Sequence, residues 1–143
     1  MSSKAAFVLH GYVPDRKLLP NNRRSTRSDG DKRRRQRLDV AMMLAAQPST
    51  LVYRTHDTFR VQITVCWPRE LVIAQKGPNA GKVAWRFKPL PDGDNLNSAM
   101  KGLVDALADK LGVNDKFFDL LPPKQLRDET GDGYTLIEVE VQP

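Results

Sequence analysis

Apolar and polar residues alternate most clearly over residues 59–67, where every second side chain is apolar. This period of two predicts a β-strand that buries one face. Residues 134–141 repeat the alternation and predict a closing strand, while residues 4–13 predict a first strand that ends in a turn. Residues 71–74 and 83–87 flank the stretch QKGPNAGK and predict two antiparallel strands joined by a loop.

Apolar residues at helical spacing predict two main helices. The first covers about residues 31–46; the second follows the turn PDGD at residues 91–94 and ends at Gly112, a common helix stop. The stretches LLPPKQL at 120–126 and DETGDG at 128–133 are expected to form a loop and a turn. The second helix has an apolar stripe formed by Leu96, Ala99, Met100, Leu103 and Leu107.

These elements predict one α+β (mixed α/β) domain over residues 1–143, with two main helices packed on a mixed β-sheet. No apolar run reaches the length of a membrane span, and the amino terminus lacks a signal-peptide core. We therefore expect no membrane association and a cytoplasmic location. The single cysteine, Cys66, excludes an intrachain disulfide and is expected to be a structural thiol in a strand.

Basic charge is concentrated near the amino terminus. The chain has a formal net charge of +6, and ten of its 23 lysines and arginines lie between Arg16 and Arg37. Such a concentration favours a polyanionic partner, nucleic acid above all. Residues 15–30 are expected to form a flexible basic arm that becomes ordered when a partner binds. The candidate DNA-binding residues are Arg23, Arg24, Arg27, Lys32, Arg33, Arg34 and Arg37.

The second predicted helix carries a polar face opposite its apolar stripe. At about 100° per residue, Asp94, Ser98, Lys101 and Asp105 fall within roughly 60° of one another. Asp92 precedes this helix, on the other side of a glycine from Asp94. The turn at residues 91–94 and the helix thus bring acids and a lysine to one side of the chain.

Asp115 lies just beyond the predicted end of the helix, where the chain can fold back toward Asp92 and Asp94. Three carboxylates from separate short segments suit Mg²⁺ or Mn²⁺ better than zinc, because these cations prefer hard oxygen ligands. His10 and His56 have no zinc-ligand spacing. Such a site supports phosphodiester hydrolysis, in which a lysine neutralises charge on the phosphate or orients the water.

A simpler interpretation competes with this one. Asp94 or Asn95 would be a helix N-cap, and Lys101 and Asp105 an ordinary ion pair one turn apart. The helix pattern alone does not decide between the two interpretations, and the neighbouring basic arm favours a nuclease.

For two further motifs we prefer a structural interpretation to a functional one. GPNAGK at residues 77–82 is expected to be a hairpin loop, not a phosphate-binding loop, and the acids at 128–132 a solvated turn, not a calcium site.

The ordered set of polar residues resembles the signature of the RusA-type Holliday-junction resolvases of bacteria and their phages. That signature is Asp-x-Asp-Asn-Leu, a lysine, Asp-Ala/Gly-Leu and an Asp-Asp pair after a glycine-containing turn. The likeness covers about 30 residues closely and departs from the pattern at the last pair, which is Asn-Asp here. The matching residues are Asp92, Asp94, Asn95, Leu96, Lys101, Asp105, Ala106, Leu107, Gly112, Asn114 and Asp115.

The resemblance implies a homodimeric, metal-dependent endonuclease that cuts branched DNA. It implies that Asp92, Asp94 and Asp115 are metal-binding catalytic carboxylates for Mg²⁺ or Mn²⁺ and that Lys101 is the catalytic lysine. Asp105 and Asn95 would support the site, and Asp119 is the reserve ligand because one acid of the final pair is absent. The setting would be a bacterial cell or a phage-infected host.

Two other functions fit the same residues. One is a branched-DNA-binding protein that keeps the fold without the reaction, and the other is a less specific nuclease acting on phage DNA intermediates. The first predicts binding that weakens steeply with salt, without dependence on divalent metal.

Overall fold

Five strands form a mixed sheet in the computed structural model, which describes residues 3–19, 26–129 and 131–142. Two further strands form a separate ribbon. The strands are β1 (Lys4–His10), β2 (Thr58–Pro68), β3 (Glu70–Ile73), β4 (Val83–Arg86), β5 (Phe118–Leu120), β6 (Lys124–Asp128) and β7 (Tyr134–Gln142). The helices are α1 (Thr26–Ala45), α2 (Gly93–Ala99) and α3 (Lys101–Leu111).

Strand β2 organises the sheet. It pairs antiparallel with β7, which in turn pairs antiparallel with β1. On its other edge, β2 pairs in parallel with β5 near its start and with β6 near its end. The predicted core face of β2 is confirmed, because its apolar side chains at positions 59, 61, 63, 65 and 67 are all buried; Thr64 and Cys66 on the other face are buried as well. In β7, buried residues alternate with more exposed ones, as predicted.

The core lies between this sheet face and the helices. Val61 on β2 and Val139 on β7 are register partners, and both are almost completely buried. Apolar side chains from α1, α2 and α3 pack against the same cluster. The fold class is thus the α+β domain that the sequence predicts, with both main helical regions on one side of a mixed sheet. The helical part of this cluster comprises Val40, Leu44, Leu96, Met100, Leu103, Val104, Ala106, Leu107 and Leu111.

Helix α1 approaches α3 closely at Gly102. A β-carbon added at Gly102 would lie 2.6 Å from the carbonyl oxygen of Arg33 and 2.7 Å from Oε1 of Gln36. Gln36 is itself buried; its Nε2 donates to the carbonyl of Ala99 at 2.8 Å, and its Oε1 accepts from the amide of Gly102 at 2.9 Å. The glycine and the glutamine together allow the two helices to touch.

Several predicted boundaries differ from the observed ones. Helix α1 begins at Thr26 instead of about residue 31, so the expected loop is shorter. Within the arm, residues 16–18 form a 3-10 helix, and Leu18 and Leu19 are buried in a small cluster with Ala99. The amino-terminal part of the arm is therefore anchored by apolar burial, contrary to the prediction of a flexible loop.

The other differences lie in the second half of the chain. The predicted second helix is two helices, α2 and α3, separated by Met100. The stretch at residues 120–126, predicted as a loop, contains the end of β5 and most of β6. The two strands are short, mostly polar and separated by prolines, so they lack the alternation of a half-buried strand. Cys66 is buried in β2 as expected.

The close approach at Gly102 predicts opposite effects for two glycine-to-alanine changes. Gly102→Ala should lower the free energy of unfolding by about 1–3 kcal/mol, because the new methyl group meets backbone atoms of α1. Gly30→Ala, also in a helix but with open space around it, should raise it by about 0.5–1 kcal/mol through helix propensity. Urea denaturation of both variants tests this prediction, and a stabilised Gly102→Ala would contradict the helix contact.

Candidate active site

Lys101 stands between two acids that come from different parts of the chain. Its Nζ lies 3.5 Å from Oδ1 of Asp105, one turn further along α3, and 3.4 Å from Oδ2 of Asp115, beyond the end of the helix. The contact with Asp105 follows from helical spacing. The contact with Asp115 requires the chain to turn back after α3. The sequence predicts such a turn, but toward Asp92 and Asp94, whereas the observed partner of Asp115 is Lys101.

The turn that returns the chain is built from Gly112 and Asn114. Gly112 has a positive φ of 69°, and its amide donates to carbonyls of the last turn of α3. Such a left-handed residue is a common way to end a helix and favours glycine. Asn114 then caps a 3-10 helix over residues 115–117: its side-chain oxygen accepts from the amide of Lys116 at 3.0 Å. Asparagine and aspartate cap equally well, so Asn114 has a structural role that needs no negative charge.

Asp92 and Asp94 lie at the start of α2. Asp92 is its N-cap, and Oδ1 of Asp92 accepts from the amide of Asp94 at 3.4 Å, a long hydrogen bond. The simpler interpretation, with the cap at Asp94 or Asn95, is wrong in position: the observed cap lies two residues before Asp94. Asp94 is exposed in the first turn, where a negative charge is favourable for the helix dipole.

The loop that precedes Asp92 is fastened to the body of the domain by residues that the sequence analysis did not single out. Arg16 donates to the carbonyl of Pro89 at 3.1 Å, and its guanidinium lies 4.5 Å from the ring centre of Trp67. Partial burial lowers the pKa of Arg16. Gln125 donates to the carbonyl of Pro91 at 2.7 Å. No spacing pattern signals these long-range contacts, because each joins a loop carbonyl to a distant side chain.

The predicted ligands form two groups, not one, in the described ranges. Lys101 joins Asp105 and Asp115, whereas Asp92 and Asp94 are linked to each other through the helix cap. Across residues 3–19, 26–129 and 131–142, no three His, Cys, Asp or Glu side chains are gathered closely enough to hold a metal ion. The reserve residue Asp119 lies on β5, where its Oδ2 is 3.9 Å from Nε of Arg60.

The chemical type of these donors fits a hard divalent cation, because they are exposed or half-exposed carboxylates. Asp115 contacts Lys101 through one oxygen, and a carboxylate has a second oxygen with which to accept a ligand. The chemical type thus suits such a cation, but the described residues do not gather Asp92, Asp94 and Asp115 into one site.

The ion pairs of Lys101 contribute little to stability. The lysine side chain is 57% exposed, and both nitrogen–oxygen distances are long for a charge-assisted hydrogen bond. Exposed pairs of this kind are worth about 0–1 kcal/mol. Their main effect is to hold the ammonium group beside two carboxylates on an exposed surface.

The candidate DNA-binding residues on α1 have different surroundings. Arg37 forms two hydrogen bonds of 2.9 Å with Asp109 on α3, which raise the pKa of the guanidinium. Arg34 pairs with Asp31, three residues earlier. Nε of Arg33 is buried and has no hydrogen-bond partner among the described residues. Lys32 is half-buried.

The structure gives little or no information on the three other predicted DNA-binding residues. Arg23 and Arg24 fall outside the described residues, and Arg27 belongs to α1 without a described side chain.

Comparisons with protein-family models, with curated proteins and with solved structures found no match to this chain. In the described part of the chain, no helix has the length and apolar character needed to cross a membrane.

Two substitutions of Asp92 test whether its capping hydrogen bond or its charge supports the fold. Asp92→Asn should change the free energy of unfolding by only a few tenths of a kcal/mol, because asparagine caps as well as aspartate. Asp92→Ala should cost about 0.5–1 kcal/mol, toward the low end for a cap because the observed hydrogen bond is long. Thermal and urea denaturation of the two variants provide the measurement. Equal losses in both variants would show that the charge of Asp92, and not its capping, supports the fold.

Proposed function

We propose that this protein is a metal-dependent endodeoxyribonuclease that hydrolyses phosphodiester bonds in branched DNA, such as a four-way junction. The observation that carries the proposal is the position of Lys101, held by Asp105 and by Asp115 from a separate segment. Asp92 and Asp94, at the start of α2, precede this lysine by nine and seven residues in the sequence. The resemblance to the RusA-type resolvases concerns the same residues.

Each residue of the site has a definite task in this proposal. Asp92, Asp94 and Asp115 would hold Mg²⁺ or Mn²⁺, which activates water and stabilises negative charge on phosphate oxygens when bound. Lys101 donates hydrogen bonds to a phosphate oxygen and compensates the charge that develops there. Asp105 is a positioning residue, because its carboxylate contacts the ammonium group of Lys101 at 3.5 Å.

The rest of the chain fits a DNA substrate. The net charge of +6 favours phosphate contacts that do not read sequence, and such contacts make binding strongly salt-dependent. In a homodimer with two-fold symmetry, two equivalent sites would place paired nicks symmetrically across a junction. DNA recombination, DNA repair and phage DNA processing are the settings that require this reaction.

A second candidate function is branched-DNA binding without cleavage. Two observations favour it. Asn114 stands where the RusA-type signature has an acid and is used as a cap, and no three acids are gathered together in the described residues. A less specific phage nuclease would differ from the first proposal only in its substrate range.

Cleavage of a labelled synthetic four-way junction tests the proposal. We expect paired symmetric nicks with Mg²⁺ or Mn²⁺ and none after chelation by EDTA. Lys101→Ala should lower the cleavage rate by about 100-fold or more, because a group that stabilises transition-state charge is lost. Asp94→Asn should abolish cleavage while leaving junction binding in place.

Matched variants show whether these effects are specific to the site. Lys110→Ala removes a lysine from the same helix, and Asp132→Asn removes an exposed acid from a distant turn; both should cleave at the rate of the unaltered protein. Binding without product under all metal conditions would support the second candidate. Cleavage that persists in EDTA, or in Asp94→Asn at full rate, would refute the assigned site.

A further inference from the structure

Strands β3 and β4 form a two-stranded ribbon of their own, outside the five-stranded sheet. Leu71 is the register partner of Trp85, and Ile73 is the partner of Val83. Register partners in an antiparallel pair share a face, and side chains two residues apart on a strand do so as well. These four residues therefore form one face of the ribbon.

That face is apolar and exposed to an unusual degree. Leu71, Ile73 and Val83 are each more than half exposed, and Trp85 is 58% exposed. In contrast, the other tryptophan, Trp67, is 3% exposed. An isolated two-stranded ribbon is at best marginally stable in water, and a continuous apolar patch on a monomer commonly marks a binding surface. The ribbon therefore has the character of a contact element.

The charge of the ribbon indicates the class of partner. Residues 69–88 contain five lysines and arginines and one acid, Glu70. Glu70 is paired with Lys88 at 3.0 Å, at the base of the ribbon. Lys76 and Lys82 flank the exposed tip. A surface with this excess of positive charge is complementary to a polyanion and would repel a second copy of itself.

The ribbon leads directly into the candidate site. Strand β4 ends at Arg86, six residues before Asp92, and the intervening loop is fastened to the domain through Pro89 and Pro91. At the base, the guanidinium of Arg127 on β6 lies 5.4 Å from the ring centre of Phe87. The ribbon is therefore joined to the candidate site by a short loop that is itself fixed to the domain.

We infer that the ribbon of β3 and β4 is a second DNA-binding element, which recognises the branch point by packing Trp85 and its apolar neighbours on an unstacked base. This inference rests on the proposed function. It adds that the branch point is the feature of the DNA substrate that the protein recognises. Lys76 and Lys82 at the tip contact phosphates. Arg69, whose guanidinium lies 5.4 Å from the ring centre of Trp85, holds the indole in place.

The physical reason is a difference between duplex and branched DNA. In a fully paired duplex, the faces of the bases are stacked on each other and unavailable to an apolar surface. At a branch point, bases can unstack and offer a face, and base–aromatic stacking does not depend on sequence. The ribbon would therefore distinguish structure and not sequence, while its lysines bind any phosphate backbone.

Two ribbon variants separate these contributions. Binding is measured by fluorescence anisotropy in EDTA, where no cleavage occurs, to a four-way junction and to a duplex of equal length. Trp85→Ala should weaken junction binding by about 10-fold and leave duplex binding nearly unchanged, because only the junction offers an unstacked base. The double variant Lys76→Ala with Lys82→Ala should weaken binding to both DNAs and lower the salt-dependence exponent by about 2.

The double variant Arg54→Ala with Lys110→Ala is the matched control. It removes the same charge near the far end of α3, where Tyr53 bonds to the carbonyl of Leu111, and should preserve both affinities and the salt dependence. Acrylamide quenching adds a direct readout, since the exposed Trp85 should become protected when the junction binds. Protection by the junction and not by the duplex supports the inference.

Each contrary outcome has a distinct meaning. Equal loss, or no loss, of junction and duplex affinity in Trp85→Ala overturns the ribbon as the branch-point reader while the proposed function stands. If sedimentation shows that Trp85→Ala turns a dimer into a monomer, the apolar face belongs to a second copy and the inference is wrong. Absence of any DNA binding by the unaltered protein refutes the proposed function together with the inference.

Discussion

The side chain of Gln36 is the contact on which the geometry of the candidate site depends. It accepts from the amide of Gly102 and donates to the carbonyl of Ala99, on either side of the break between α2 and α3. Helix ends leave backbone groups without partners, and a buried group left unpaired costs about 1–3 kcal/mol. Gln36 satisfies two such groups from a buried position. The break in turn fixes where α3 begins. Because Lys101 is the first residue of α3, the break also fixes the position from which its side chain extends.

The same contact couples the basic helix α1 to the site helix α3. A glycine at position 102 is needed because a β-carbon would collide with the backbone of α1, and Arg37 reinforces the pairing through its two hydrogen bonds to Asp109. Arg37, predicted from the sequence to bind DNA, is thus part of the helix–helix contact. Exposed neighbours such as Arg34 and Arg35 remain on the outer side of α1.

The sequence was sufficient to predict those parts of the fold that depend on local patterns. In β2 and β7, apolar residues at every second position face the core, and the pair of Lys101 with Asp105 follows from helical spacing. Strands β5 and β6 were not predictable in this way, because they are short, polar and stabilised by parallel pairing with a distant strand. The role of Gln36 and the anchoring of Leu18 and Leu19 likewise depend on tertiary contacts that leave no periodic signal.

The two interpretations of the polar helix place different demands on its residues. A capped helix with a charged outer face requires a capping side chain at its start and a partner for Lys101 one turn away. Both are present, although the cap is Asp92 and not Asp94 or Asn95. Such a helix does not require a second carboxylate from outside the helix. Asp115 nevertheless contacts Lys101 after a glycine turn and an asparagine-capped 3-10 helix, although an exposed ion pair contributes little to stability. Because the fold gains so little from this contact, stability alone does not account for its presence.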